Sequence, residues 1–138
     1  MTRKQLLWAR ILLGVYLLAL LVLCFANFSS IPEVKKQLFG IPMDKVVHFC
    51  MFFPFPILAF IAFDKYSDRF PMSVFWIVVV FGAGVLLAVA TELGQNLLTT
   101  YRSGDRNDFL ADLISLALSS LVVLFYNLWR QRRVCPEK

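Results

Sequence analysis

A chain of 138 residues has room for one domain. Its composition is 59% hydrophobic and 17% charged with a mean hydropathy of +0.72, more apolar surface than a soluble fold of this size can hide. The formal charge of +5 comes from basic residues gathered mainly at the two termini, outside the apolar runs. That distribution is a membrane-orientation signal and argues against a nucleic-acid partner.

The first apolar run, 6–28, is long enough to cross about 30 Å of hydrocarbon at about 1.5 Å per residue. Arg3, Lys4 and Arg10 give it the start of a secretory signal, but it exceeds a usual signal core and Ala26 offers only a weak cleavage site. It therefore predicts an uncleaved transmembrane helix, with Trp8 and Asn27-Phe28 suited to its two interfaces. Segment 29–43, with Pro32, Gly40, Pro42 and the charges Glu33, Lys35 and Lys36, reads as a loop. A second span over 44–63 contains Pro54 and Pro56, each of which removes a helical hydrogen bond. A kink near mid-span follows, with the carbonyls of Cys50 and Phe52 freed for other partners.

After a charged connection over 64–70, Pro71 suits the first turn of a third span over 72–98. Gly82, Gly84 and Ala88 allow another helix to approach that span closely. A polar turn over 99–107 leads to a fourth span, 108–129, and then to Arg130, Arg132, Arg133 and Lys138. The fold class expected is an all-α membrane protein with four transmembrane helices in one domain, 1–138. Cys24, Cys50 and Cys135 are too far apart for a metal motif or disulfide framework, and the first two read as small hydrophobes within spans.

Topology follows from the basic residues. The side holding both termini and the 64–70 connection carries Arg3, Lys4, Arg10, Lys65, Arg69, Arg130, Arg132, Arg133 and Lys138, against Lys35, Lys36, Lys45, Arg102 and Arg106 on the other. The positive-inside rule then puts both termini in the cytoplasm. It also sends two polar groups to the extracytoplasmic end: Asp44, Lys45 and His48 at the start of the second span, and 92–112 between the third and fourth. Their arrival at one side by different routes is the argument for a single site.

Asp44 and His48 are four apart and share a helix face. Asp44 reads equally well as a helix cap, and Lys45 as a cation that snorkels to lipid phosphate or pairs with an acid. His48, the chain's single histidine, suits acid–base work beside a carboxylate, and equally a structural hydrogen bond. Glu92 and Gln95 share a face near the hydrocarbon boundary, where an ionisable group usually faces the bundle interior. The alternative for Glu92 is an ion pair with Arg102 or Arg106 that pins the loop. Asp105 and Asp108 resemble an acidic capping box, but Asp112 is too deep for capping and needs Arg102, Arg106 or His48 as a partner. Ser115 and Ser119 continue that face inward.

Together Asp44-Lys45-x-x-His48-Phe49, Glu92-x-x-Gln95, Arg102 and Asn107-Asp108-x-x-x-Asp112 resemble the VanZ-like family of small bacterial membrane proteins, over roughly 6–130. The chain departs from the family pattern at Thr91, where an Asp is frequent, and at Ser115 and Ser119, where Asn and Gly are typical. The resemblance implies a few transmembrane helices with the shared polar residues toward the outer face. It also implies a link to reduced susceptibility to the lipoglycopeptide teicoplanin.

Three functional classes follow. The first is a site of Asp44, Lys45, His48, Glu92, Gln95, Arg102, Arg106, Asp108 and Asp112 that binds an anionic or lipid-linked amphiphile. Its partners are membrane lipids and a lipid-linked envelope precursor or lipoglycopeptide, since Arg forks suit phosphate and carboxylate. The second is an intramembrane hydrolase or headgroup transferase, with His48 as acid–base and Glu92 or Asp112 as its carboxylate. No dense ligand motif calls for a resident metal or cofactor, although one histidine with several carboxylates suits a hard or borderline cation. The discriminator is geometric: the enzyme requires His48, Glu92 and Asp112 to converge, whereas acids tied up in Arg pairs favour binding or structure. A transporter ranks last, because four spans are few and no polar path continues through the third helix.

Overall fold

The computed structural model describes residues 2–25, 37–38, 41–63, 70–98 and 106–134. Five helices follow in order: α1 (Arg3–Phe25), α2 (Met43–Phe52), α3 (Pro54–Ala62), α4 (Phe70–Leu98) and α5 (Arg106–Val134). Ahead of α2 a two-stranded antiparallel ladder joins β1 (Gln37–Leu38) to β2 (Ile41–Pro42), with Gln37 opposite Pro42 and Leu38 opposite Ile41. Four segments are long and apolar enough to cross a membrane: Arg3–Phe25, Met43–Ala62, Pro71–Leu98 and Arg106–Arg133. The expected four-span all-helical architecture is therefore present. The boundaries differ from the hydropathy reading at the basic ends, where α1 takes in Arg3 and Lys4 and α5 runs on to Val134. Helical hydrogen bonding continues past the apolar run, and Lys and Arg are good helix formers with stems that cover apolar surface.

The second span is divided into α2 and α3 at Phe53, as its prolines require. Phe53 keeps helical dihedrals (φ −57°, ψ −42°) and its N–H reaches Phe49 O at 3.0 Å, so the two halves remain one membrane segment. The side-chain donors reach carbonyls adjacent to the two expected. Ser115 Oγ of α5 donates to Phe49 O at 2.7 Å, and the Tyr16 hydroxyl of α1 donates to Met51 O. Two neighbouring helices thus donate to backbone carbonyls beside the break and tie it to α1 and α5.

That span is the inner one. Some 39% of its most apolar window is buried against 6% for α1, whose Leu7, Trp8, Leu12, Val15 and Leu18 face outward. The core consists of Leu20, Cys24, Phe52, Phe55, Ala88 and Leu116, with contributions from every helical span. Gly84 admits this packing, because a Cβ there would meet Leu116 Cδ2 at 2.6 Å and Phe55 Cδ1 at 3.2 Å. Gly82 has open space instead, so the close approach expected at both glycines occurs at Gly84. Cys24 is buried as expected, whereas Cys50 is exposed on the outer surface of α2.

Contacts between helix ends fix how the spans alternate. At one end Arg10 Nε of α1 donates to Ala62 O of α3 at 3.3 Å, and Gln131 Nε2 of α5 donates to Ser73 Oγ of α4 at 3.0 Å. Phe63 stacks on Trp76 there, and Arg10 and Arg130 lie over the Phe63 and Phe60 rings. Elsewhere Gln95 of α4 meets Cys24 O in the last turn of α1, and His48 of α2 meets Asp112 of α5.

Candidate functional site

Three helix segments place the polar side chains. Met43 opens α2, so His48 falls in its second turn, on the face turned into the bundle, and is 1% exposed. Asp108 and Asp112 lie four apart on α5, one helical turn, and both are buried. Glu92, 8% exposed, approaches from the last turns of α4.

His48 Nδ1 lies 3.2 Å from Asp112 Oδ1 and 3.4 Å from Oδ2, with Glu92 Oε1 at 3.9 Å. Asp112 is fully buried, and an N–H donated by the imidazole fixes both the ring's orientation and its tautomer. The opposite nitrogen, Nε2, faces Asp108 Oδ2 at 4.0 Å. Lys45 Nζ holds the other carboxylate oxygen, Asp108 Oδ1, at 3.0 Å, and Asp44 completes a group in which its own carboxylate, His48 and Asp108 have atoms within 4.8 Å of one another. His48, Glu92 and Asp112 form a second such group. The histidine is the hinge between the two.

Several expectations are resolved by this geometry. Asp112 has His48 as its partner. Lys45 pairs with an acid, and that acid is Asp108, which is buried and therefore more than a cap. Asp44 is not the N-cap of α2; Pro42 occupies that position without a side-chain bond, and Asp44 sits in the first helical turn, where its charge suits the helix dipole. Gln95 is buried but turned elsewhere, donating from Nε2 to Cys24 O at 2.9 Å, so it ties α4 to the end of α1. Arg106 is exposed at the start of α5. Arg102 and Asp105 lie outside the described residues, and with them the expected Glu92–Arg102 pair.

Ser115 and Ser119 are buried below Asp112. Ser119 Oγ donates back to Ser115 O at 2.9 Å, so these hydroxyls serve backbone carbonyls. Sequence reasoning passed over Tyr16, Ser73, Asn127 and Gln131, all of which carry polar groups inside or across the bundle. Tyr16 had a signal: a phenol in the middle of an apolar span needs a partner for its hydroxyl.

Comparisons of the chain with known protein families, with curated proteins and with solved structures found no match. An imidazole held by a carboxylate on one nitrogen and open to acids on the other is equipped to move a proton or to ligate a cation.

Proposed function

We propose that this is a multi-pass protein of the bacterial inner membrane whose His48 site acts on the polar headgroup of a membrane amphiphile, as a hydrolase or headgroup transferase. The observation that carries this reading is the buried His48–Asp112 hydrogen bond with Glu92 beside it, the convergence that acid–base work requires. In this reading Asp112 holds Nδ1, and the opposite face of the ring serves the reacting group. The base takes a proton from water or an acceptor hydroxyl as its oxygen bonds to the headgroup's electrophilic atom. The proton then passes to the departing oxygen as the old bond breaks.

Both termini lie in the cytoplasm in this proposal and the site opens to the extracytoplasmic side, on the distribution of basic residues. The amphiphile is lipid-linked, an envelope precursor being the class that such a position serves. A second reading, capture of an anionic headgroup without chemistry, is favoured by the part-buried Lys45 at the mouth of the site and by exposed Arg106. The VanZ-like resemblance supplies a phenotype for either: lowered susceptibility to a lipoglycopeptide such as teicoplanin.

The test compares wild type with His48→Ala and Asp112→Asn at matched membrane levels, across envelope-active compounds including teicoplanin. Loss of phenotype in both variants at normal protein level is the expected result. Equal loss of protein, or a phenotype that survives both substitutions, overturns the reactive site. A phenotype that survives these changes but disappears in Lys45→Ala moves the case to headgroup capture.

A further inference from the structure

We infer that His48 Nε2, Asp108 and Asp44 form a binding site for one divalent cation of the manganese-to-zinc range, with Asp112 as the group that orients the histidine. The inference rests on two independent features: the ligand-like grouping of the three residues, and the condition of the imidazole. His48 is 1% exposed, and its Nδ1 is committed to Asp112 at hydrogen-bonding length. Its Nε2 points at Asp108 Oδ2 across 4.0 Å, too far for a hydrogen bond. The side chain is buried, and this second nitrogen is aimed into the Asp44–Asp108 group, where its nearest charged atom is Asp108 Oδ2.

That spacing suits a shared cation. Two ligand atoms on a tetrahedral ion with bonds of about 2.1 Å lie about 3.4 Å apart. The observed gap is therefore wider than that by a fraction of an ångström, within the reach of a small side-chain adjustment. Buried metal-binding histidines generally donate their other N–H to a carboxylate, as His48 does to Asp112. Lys45 holds Asp108 Oδ1, whereas the oxygen facing the ring is Oδ2, and Asp44 is hydrogen-bonded to the same carboxyl group. Asp44 is exposed, giving an entry path from water and leaving positions on the ion for water or a headgroup oxygen. The alternative grouping with Glu92 and Asp112 would use Nδ1, which the Asp112 hydrogen bond already occupies. One imidazole with two carboxylates selects a borderline divalent ion over sodium or potassium.

This rests on the reactive-site proposal and shares its residues, but changes the role of His48 Nε2 from proton acceptor to ligand. With a cation in place, His48 is a ligand and a metal-bound water, acidified toward neutrality, is the nucleophile or its source. Metal content is read without any activity, so the two ideas can fail separately.

The experiment uses full-length protein purified in detergent with its affinity tag removed. Zinc and manganese are measured per chain by mass spectrometry after equilibration with each ion and removal of unbound metal. About one equivalent of one ion is expected in wild type, by the single ligand group involved. Asp44→Asn and Asp108→Asn should each abolish that binding while elution profile and helix content stay unchanged. Asp112→Asn should weaken it by about 10–100-fold, the usual effect of removing an orienting partner. Absence of binding in wild type, or equal metal content in wild type and Asp44→Asn, overturns the site; because Asp44 is exposed, that variant does not depend on a rebuilt core. Metal-free wild-type protein whose phenotype still needs His48 leaves proton transfer standing and removes the cation. A bound ion alongside a phenotype indifferent to His48 does the reverse.

Discussion

Tyr16 and Ser115 hold the broken second span from either side, Tyr16 donating to Met51 O and Ser115 to Phe49 O. Phe49 O also accepts the Phe53 N–H, so Ser115 is a second donor to that carbonyl. Side-chain hydrogen bonds between membrane helices average about 0.6 kcal/mol and reach about 1.7 kcal/mol. Ser115→Ala is therefore expected near the lower figure and Tyr16→Phe toward the upper, in reversible unfolding measured in bicelles or mixed micelles. Two neutral variants would show that the break needs no support from its neighbours. These partnerships could not be read from the sequence, because the acceptors are backbone carbonyls and any residue type supplies one. His48–Asp112 was accessible for the opposite reason: a deep carboxylate needs a cationic or N–H donor, and the chain offers few. Gln95 shows the limit of that reasoning. Spacing puts it on the same face as Glu92, yet its amide N–H, a donor that a carboxylate lacks, goes to Cys24 O at the end of α1.

At the scale of elements, hydropathy located the four spans and the prolines located the break, since both signals are local. Which small residue marks a helix contact is not local, and Gly82 and Gly84 are alike in sequence. They differ by about 200° around the helix, at roughly 100° per residue, so only one can face α5. It is Gly84, whose added Cβ would lie 2.6 Å from Leu116 Cδ2; Leu116 is fully buried and Phe55 stands on its other flank, leaving little room to yield. Gly84→Ala is expected to destabilise by about 1–3 kcal/mol through overpacking. Gly82→Ala, with open space, should be neutral or slightly stabilising because alanine favours helix. A Gly84→Ala/Leu116→Ala double variant should recover part of the overpacking loss, giving a non-additive cycle in the same unfolding assay. Additive losses would mean that the α4–α5 approach is looser than the structure has it.

Across the whole molecule, the His48 group draws on the starts of α2 and α5, while Arg10 belongs to α1 and Arg130 and Arg133 to the last turns of α5. Arg10, Arg130 and Arg133 lie over Phe63, Phe60 and Trp129, so several basic side chains near the termini rest on aromatic rings. An arginine so placed, at the level where aromatic residues favour the interface, resists passage through hydrocarbon. The site end has Lys45 committed to Asp108, which leaves it less able to hold that end in the cytoplasm. Alkaline phosphatase fused after Lys138 should therefore be inactive, and the same enzyme inserted after Ser103 should be active, in cells expressing matched amounts. Green fluorescent protein at the C-terminus should fluoresce, as it does only when folded in the cytoplasm. Replacing Arg130, Arg132 and Arg133 together by glutamine lowers the count on the terminal side from nine to six, against five on the other, and should yield a mixed population with phosphatase activity at both fusions. The opposite pattern in the wild-type chain would turn the His48 site toward the cytoplasm. A headgroup substrate would then have to come from the inner leaflet, while the metal site, which depends only on His48 and its acids, would be unaffected.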